Sequence, residues 1–210
     1  YSTYEVRRKL THLLAFIIVV PLPWLDQILL AIKYVLSIIN PLFTISLSTN
    51  NLINFLVIAL GISAIPIFLF VEYLRISRNV MLIPSNLLRE HEKTSVASYI
   101  YSISSAFVVA LLFSQIVLIA SVLVGLIADA MAALVGVYYG KHKITKNRTL
   151  EGTIAGFITA FVTIYIIVQH VLASLCVAFT IAIFDALNVK EINDNFIFPI
   201  LSAVVLSLFL

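Results

Sequence analysis

Asp129 is the only charged side chain in the apolar run 115–139, and Lys141, His142, Lys143, Lys146 and Arg148 follow just beyond it. A carboxylate inside a membrane helix costs about 2.5–3.5 kcal/mol on insertion scales, so one that is kept there holds a cation, a metal or a substrate hydrogen bond. Thr149-Leu150-Glu151-Gly152-Thr153 then opens the next apolar run. A helix start at that point presents unpaired backbone amides and the positive end of the macrodipole, which favour an anion. Carboxylates flanking a basic loop and a helix start suit a metal-bound polyphosphate. Asp129 and Glu151 would hold Mg²⁺ while Lys141, Lys143 and Arg148 neutralise phosphate oxygens beside Thr149 and Gly152. Two plainer readings stay open: Glu151 as a first-turn helix acid, and the cations as ordinary charge on a cytoplasmic loop. The segment is no Walker A loop, because no glycine-rich run precedes a Lys-Ser/Thr pair.

The elements that must position these residues follow from composition. Of the 210 residues, 62% are hydrophobic and 11% charged. A water-soluble domain of that size cannot hide so much apolar surface, so the solvent is lipid. The apolar runs do not alternate as barrel strands would. The fold expected is therefore all-α: a polytopic integral membrane helical bundle of about seven to nine transmembrane helices, forming one domain over residues 1–210. On a helix, Gly125, Asp129, Ala132, Ala133, Gly136 and Gly140 share one small-residue face, which lets a neighbouring helix or a ligand approach the carboxylate closely. Cys176 is the single cysteine, and no His/Cys cluster has zinc-ligand spacing.

Apart from Lys33, the basic residues fall at 7–9, 75–93, 141–148 and 190. Crossings expected at 95–113, 115–139, 153–169 and 171–187 put the last three of these stretches on one side, which the positive-inside tendency makes cytoplasmic. The first third is less regular: Leu10–Trp24 and Leu52–Leu74 read as crossings, whereas Leu25–Leu47 carries Lys33 and an Asn40-Pro41 break. Chemistry is then expected at the cytoplasmic membrane surface.

The run Asp129-x-x-Ala132-Ala133-x-x-Gly136-x-x-x-Gly140-Lys141, followed by Arg148-Thr149-Leu150-Glu151-Gly152-Thr153, resembles the nucleotide-binding segment of the CTP-dependent lipid kinases. These include dolichol, phytol and other polyprenol kinases, and phosphatidate cytidylyltransferases share a version of the segment. Arg8-Lys9-x-x-His12, Glu72-x-x-Arg75 with Arg89 and Glu92, and Asp185-Ala186-Leu187 with Asn193-Asp194-Asn195 resemble further motifs of the kinase branch, in the same order. The chain departs from the pattern at Ala128 for Gly, Arg148 for Lys, Asp185 for Glu and Asn193 for Asp.

The resemblance implies transfer of phosphate from CTP to a membrane-dissolved, long-chain alcohol of isoprenoid type. The nucleotide, the lipid alcohol and the bilayer are the partners, with no nucleic acid. Asp129 would act as metal ligand or alcohol-orienting base, and Asp194 as a further ligand or the base. Arg8, Lys9, His12, Arg75 and Arg89 would meet phosphate or substrate, although a basic anchor at the first helix and a Glu72–Arg75 pair are equally ordinary explanations. Cytidylyl transfer to a lipid phosphate is the alternative reaction, and a small ion or solute transporter with intramembrane acids the non-enzymatic one.

Overall fold

The computed structural model describes residues 52–78, 92, 94–145, 148–187 and 193–210. Among these residues it has six α-helices: α1 Leu52–Arg78, α2 Ser98–Leu112, α3 Gln115–Tyr139, α4 Leu150–Val168, α5 Val171–Leu187 and α6 Asp194–Leu206. Extended pairing among them is limited to one bridge, between Lys143 and Thr149. Helices α1, α3 and α4 are long and apolar enough to cross a membrane, and α2, α5 and α6 are shorter apolar helices. The chain is thus a membrane helical bundle. The expected count of seven to nine crossings rests in part on segments 10–24 and 25–47, which lie outside the described residues.

Helix α3 is the axis. Its most apolar stretch is 67% buried, against 11% for that of α1. Helices α4 and α6 flank α3, α5 packs on α4, and α2 joins α1 to α6. The outer face of α1 leaves Leu60, Ile62, Ile67 and Phe70 more than half exposed. In water such a face would be costly, but hydrocarbon tails solvate it, and the backbone needs no partner beyond its own helix.

Hydrogen bonds fix an alternating up-and-down course. Asn54 Nδ2 donates to Ala110 O at 3.1 Å and Phe113 O at 2.6 Å, tying the start of α1 to the end of α2. At the other end, Arg75 Nη2 donates to Ser95 O at 2.7 Å, just ahead of α2. Pro199 lies inside α6 and brings no N–H to the helix ladder, so the carbonyl of Asn195 loses its usual partner. Ser105 Oγ, from α2, donates to that oxygen at 3.1 Å. One proline thereby creates the acceptor that pins α2 to α6.

The small-residue face of α3 serves two neighbours rather than one. A Cβ on Gly125 would stand 2.8 Å from Pro199 Cγ, so its absence makes room for the α6 proline. Two turns later the same face meets α4. A Cβ on Gly152 would stand 2.6 Å from Ala132 O and 3.1 Å from Gly136 Cα. The two backbones touch there, and only small residues allow that approach.

Candidate active site

Helix α4 starts where the sequence predicts an anion-favouring N-terminus. Thr149 is its N-cap, and Thr149 Oγ1 accepts from Gly152 N at 3.2 Å. The residues ahead of it fold back as a short hairpin. Ile144 N donates to Arg148 O at 3.0 Å, and Leu150 N donates to His142 O at 2.8 Å. Glu151 braces this hairpin, because its carboxylate accepts from the His142 backbone amide at 3.2 Å and meets His142 Nδ1 at 2.7 Å. Lys141, His142 and Lys143 stay exposed on its outer side. Glu151 is therefore engaged as a helix-start acid that shapes the basic loop.

Arg148 turns the other way, into the bundle. Its Nη1 lies 2.8 Å from Asp185 Oδ1 and 4.0 Å from Asp129 Oδ1, and its Nη2 hydrogen-bonds Asp194 Oδ2. Three helices each send one carboxylate to a single guanidinium. Asp129 and Asp185 are 6% and 4% exposed and meet Arg148 away from bulk water, whereas Asp194 is half-buried at the edge of the cluster. Unequal helix lengths explain the meeting. Asp129 lies about 15 Å below the end of α3 at 1.5 Å per residue, whereas Asp185 is in the last turn of α5 and Asp194 opens α6. Helix α3 overshoots its neighbours, so a residue deep in its own sequence is level with their ends.

Supporting contacts hold the acids in place. Thr153 Oγ1, one turn into α4, donates to Asp185 Oδ2 at 2.7 Å. Asn193 caps α6 through Oδ1, which accepts from Asn195 N at 3.0 Å. A neutral amide oxygen performs that cap as well as a carboxylate would, which gives the Asn at this position a structural role without charge. Asp194 follows in the first turn, where the helix dipole favours its negative charge.

Arg75 occupies a separate, buried node. It is 4% exposed, and its guanidinium donates to Glu72 at 2.9 and 2.6 Å, to Glu92 O at 2.8 Å and to Ser95 O at 2.7 Å. Glu72 also accepts from Ala97 N at 3.0 Å and Tyr99 OH at 2.9 Å. Glu92 accepts from Ser98 N at 3.2 Å and from the Ser98 hydroxyl. The Glu72–Arg75 spacing that resembles a substrate-binding motif thus closes the α1–α2 corner.

Of the residues singled out in the sequence, the structure brings Asp129, Arg148 and Asp194 together, with Thr149 and Gly152 at the adjoining helix start. Lys141 and Lys143 are on the exposed hairpin, and Glu151 binds His142 there. Arg8, Lys9, His12 and Arg89 lie outside the described residues. In the sequence Asp185 reads as an acid in a motif position and, in the transporter alternative, as an intramembrane ion site. Thr153 reads as the last residue of the Arg148–Thr153 motif, and their contact with each other carries no sequence signal. His170 accepts from Ala173 N at 3.1 Å through Nδ1, at the start of α5.

The donor set suits a hard divalent cation. Asp129, Asp185 and Asp194 offer carboxylate oxygens, two negative charges in excess of Arg148. Asp185 Oδ1 contacts Arg148 as an ion pair yet has no aligned hydrogen bond, so this buried oxygen retains acceptor capacity. The carboxylates are nevertheless disposed around Arg148, and no three acids or histidines among the described residues surround a common empty point.

A sequence model of the cytidylyltransferase family matches residues 2–210 of the chain. No curated protein and no solved structure gives a significant match.

Proposed function

This chain belongs to the cytidylyltransferase family, and on that premise we propose that it transfers phosphate from CTP to the hydroxyl of a membrane-dissolved long-chain alcohol, of isoprenoid type, at the cytoplasmic face. The observation that carries the reading is the convergence of Asp129, Asp185 and Asp194 on Arg148, beside the basic hairpin and the N-terminus of α4. A nucleotide comes from water and a lipid alcohol from the bilayer, so a site at helix ends inside a bundle is accessible to both.

Phosphoryl transfer depends mainly on alignment and charge neutralisation. Lys141, Lys143 and the positive end of the α4 macrodipole would bind the triphosphate, with Arg148 on the transferring group. Asp129, Asp185 and Asp194 would hold Mg²⁺, and Glu151 would join them only by leaving His142. Bound there, Mg²⁺ would neutralise charge on the phosphate oxygens. Asp129 or Asp194 would take the proton of the alcohol as its oxygen bonds to the γ-phosphorus, and the γ-phosphorus–oxygen bond to CDP breaks.

A second reading is favoured by the family match itself: the oxygen of a lipid phosphate attacks the α-phosphorus of CTP, and pyrophosphate leaves. Cytidylyltransferases of this kind typically carry a His-Gly-Gly-x-x-Asp-Arg stretch in their C-terminal part. Residues 170–210 contain one histidine, His170, and no glycine, which is the reason for placing the kinase reading first. Purified protein with Mg²⁺, CTP or ATP labelled at the α- or γ-phosphate, and geranylgeraniol, phytol, dolichol, diacylglycerol and phosphatidate as acceptors decides between them. Label transfer from the γ-position with CDP release supports the kinase; pyrophosphate release with a CDP-lipid product overturns it.

A further inference from the structure

Arg148 has two roles that cannot be filled at once. Its place at the foot of α4 suits a phosphate ligand, yet its guanidinium is held by the three carboxylates that would serve a divalent cation. The side chain is 15% exposed and stems from the hairpin rather than from a packed helix turn. We propose that Arg148 is an internal counter-ion, which occupies the carboxylate cluster without nucleotide and exchanges with a divalent cation when the nucleotide arrives. This rests on the site assigned above and adds a step to it.

The physical reason is charge balance. Three clustered carboxylates, two of them buried, repel one another, so a cation among them is strongly favoured. A guanidinium offers five donors in a rigid fork and stays charged at any ordinary pH, so it holds several carboxylates without a metal. It leaves the cluster short of neutrality by two charges, the charge of the divalent cation that accompanies a triphosphate. As that cation takes the carboxylate oxygens, the same arginine is released beside phosphate oxygens, which it pairs with equally well. Neither the carboxylates nor the guanidinium is left buried and unpaired at any stage, and an unpaired state is the expensive one. Asp185 is the fixed point of the exchange, because Thr153 holds its second oxygen at 2.7 Å, on the side away from the oxygen that meets Arg148.

The test measures Mn²⁺ binding to the purified full chain by electron paramagnetic resonance, with no turnover. With no nucleotide, Arg148→Gln is expected to bind Mn²⁺ about tenfold or more tightly than the unaltered protein, since the competing cation is gone. Adding CDP is expected to tighten Mn²⁺ binding in the unaltered protein, and this coupling should vanish in Arg148→Gln. Arg148→Lys keeps the charge and guards against a folding defect; it is expected to bind Mn²⁺ no more tightly than the unaltered protein. Equal or weaker Mn²⁺ binding by Arg148→Gln, with Arg148→Lys folded, overturns the exchange. A chain that shows the exchange but transfers no phosphate or cytidylyl group would sink the proposed function and leave this inference standing.

Discussion

Arg148 and Asp185 face each other at 2.8 Å, one from a loop residue ahead of α4 and the other from the last turn of α5. Neither residue's neighbours in sequence foretell the pairing. It defines which side of α5 belongs to the site, and Thr153 locks it from the opposite oxygen. Replacing Asp185 by Asn keeps the shape and an acceptor for Thr153 but halves the charge-assisted part of the pair. Turnover is expected to fall at least about tenfold and KM for CTP to rise, read from steady-state kinetics with γ-labelled nucleotide.

Thr153→Val removes the hydroxyl while keeping the volume. The buried Asp185 carboxylate then loses the hydrogen bond it accepts from Thr153, a loss of about 1.5–3 kcal/mol for a bond to a charged group. A lower thermal midpoint in detergent is expected, together with reduced turnover. An unchanged midpoint would show that the contact is not formed in the folded protein.

Asp129→Asn is expected to lower product formation at least about 100-fold, the scale of a lost general base or charge stabiliser. Because a neutral amide is easier to place in a membrane than a carboxylate, insertion and elution as a monodisperse species should persist. Full turnover in this variant would remove Asp129 from the chemistry.

Arg75→Ala is expected to act on stability and not on nucleotide affinity. The guanidinium ties Glu72 to the Glu92 and Ser95 carbonyls, and removing one partner of a buried ion pair costs about 3–5 kcal/mol. The yield of folded protein should drop, with KM for CTP in the surviving fraction unchanged. A raised KM with normal stability would return Arg75 to the phosphate-binding group.

Gly152→Ala tests the α3–α4 seam. The added methyl would press on the Ala132 carbonyl at 2.6 Å, which is backbone and has nowhere to turn. The helices must separate, so a loss of about 1–3 kcal/mol is expected, with a fall in turnover because α4 carries Thr153 and its N-cap adjoins Arg148. Thermal unfolding in detergent and a kinetic assay on the same preparation measure both.

Much was legible in the sequence. The hydrophobic content required lipid and hence helices, and the α3 bounds follow from the run 115–139, which is free of charge except at Asp129. The helix start near Thr149 and the first-turn-acid reading of Glu151 were readable because helix ends are a local matter of two or three residues; that Thr149 is the N-cap came from the structure. The small face of α3 was readable as well, since helical periodicity sets it. Its division between Pro199 and α4 was not, because that depends on which helix lies on which side.

The sequence by itself determined the solvent, the helical class and the presence of an intramembrane acid next to concentrated positive charge. Those follow from transfer free energies and helix periodicity, which are properties of short segments. Tertiary structure alone decided that Asp129, Asp185 and Asp194 share one guanidinium, that Glu151 turns to His142 and that Arg75 is spent on a corner. Each of these depends on how far one helix overshoots another and which way an arginine side chain turns. Only packing sets those quantities, because side chains distant in sequence compete for the same few ångströms.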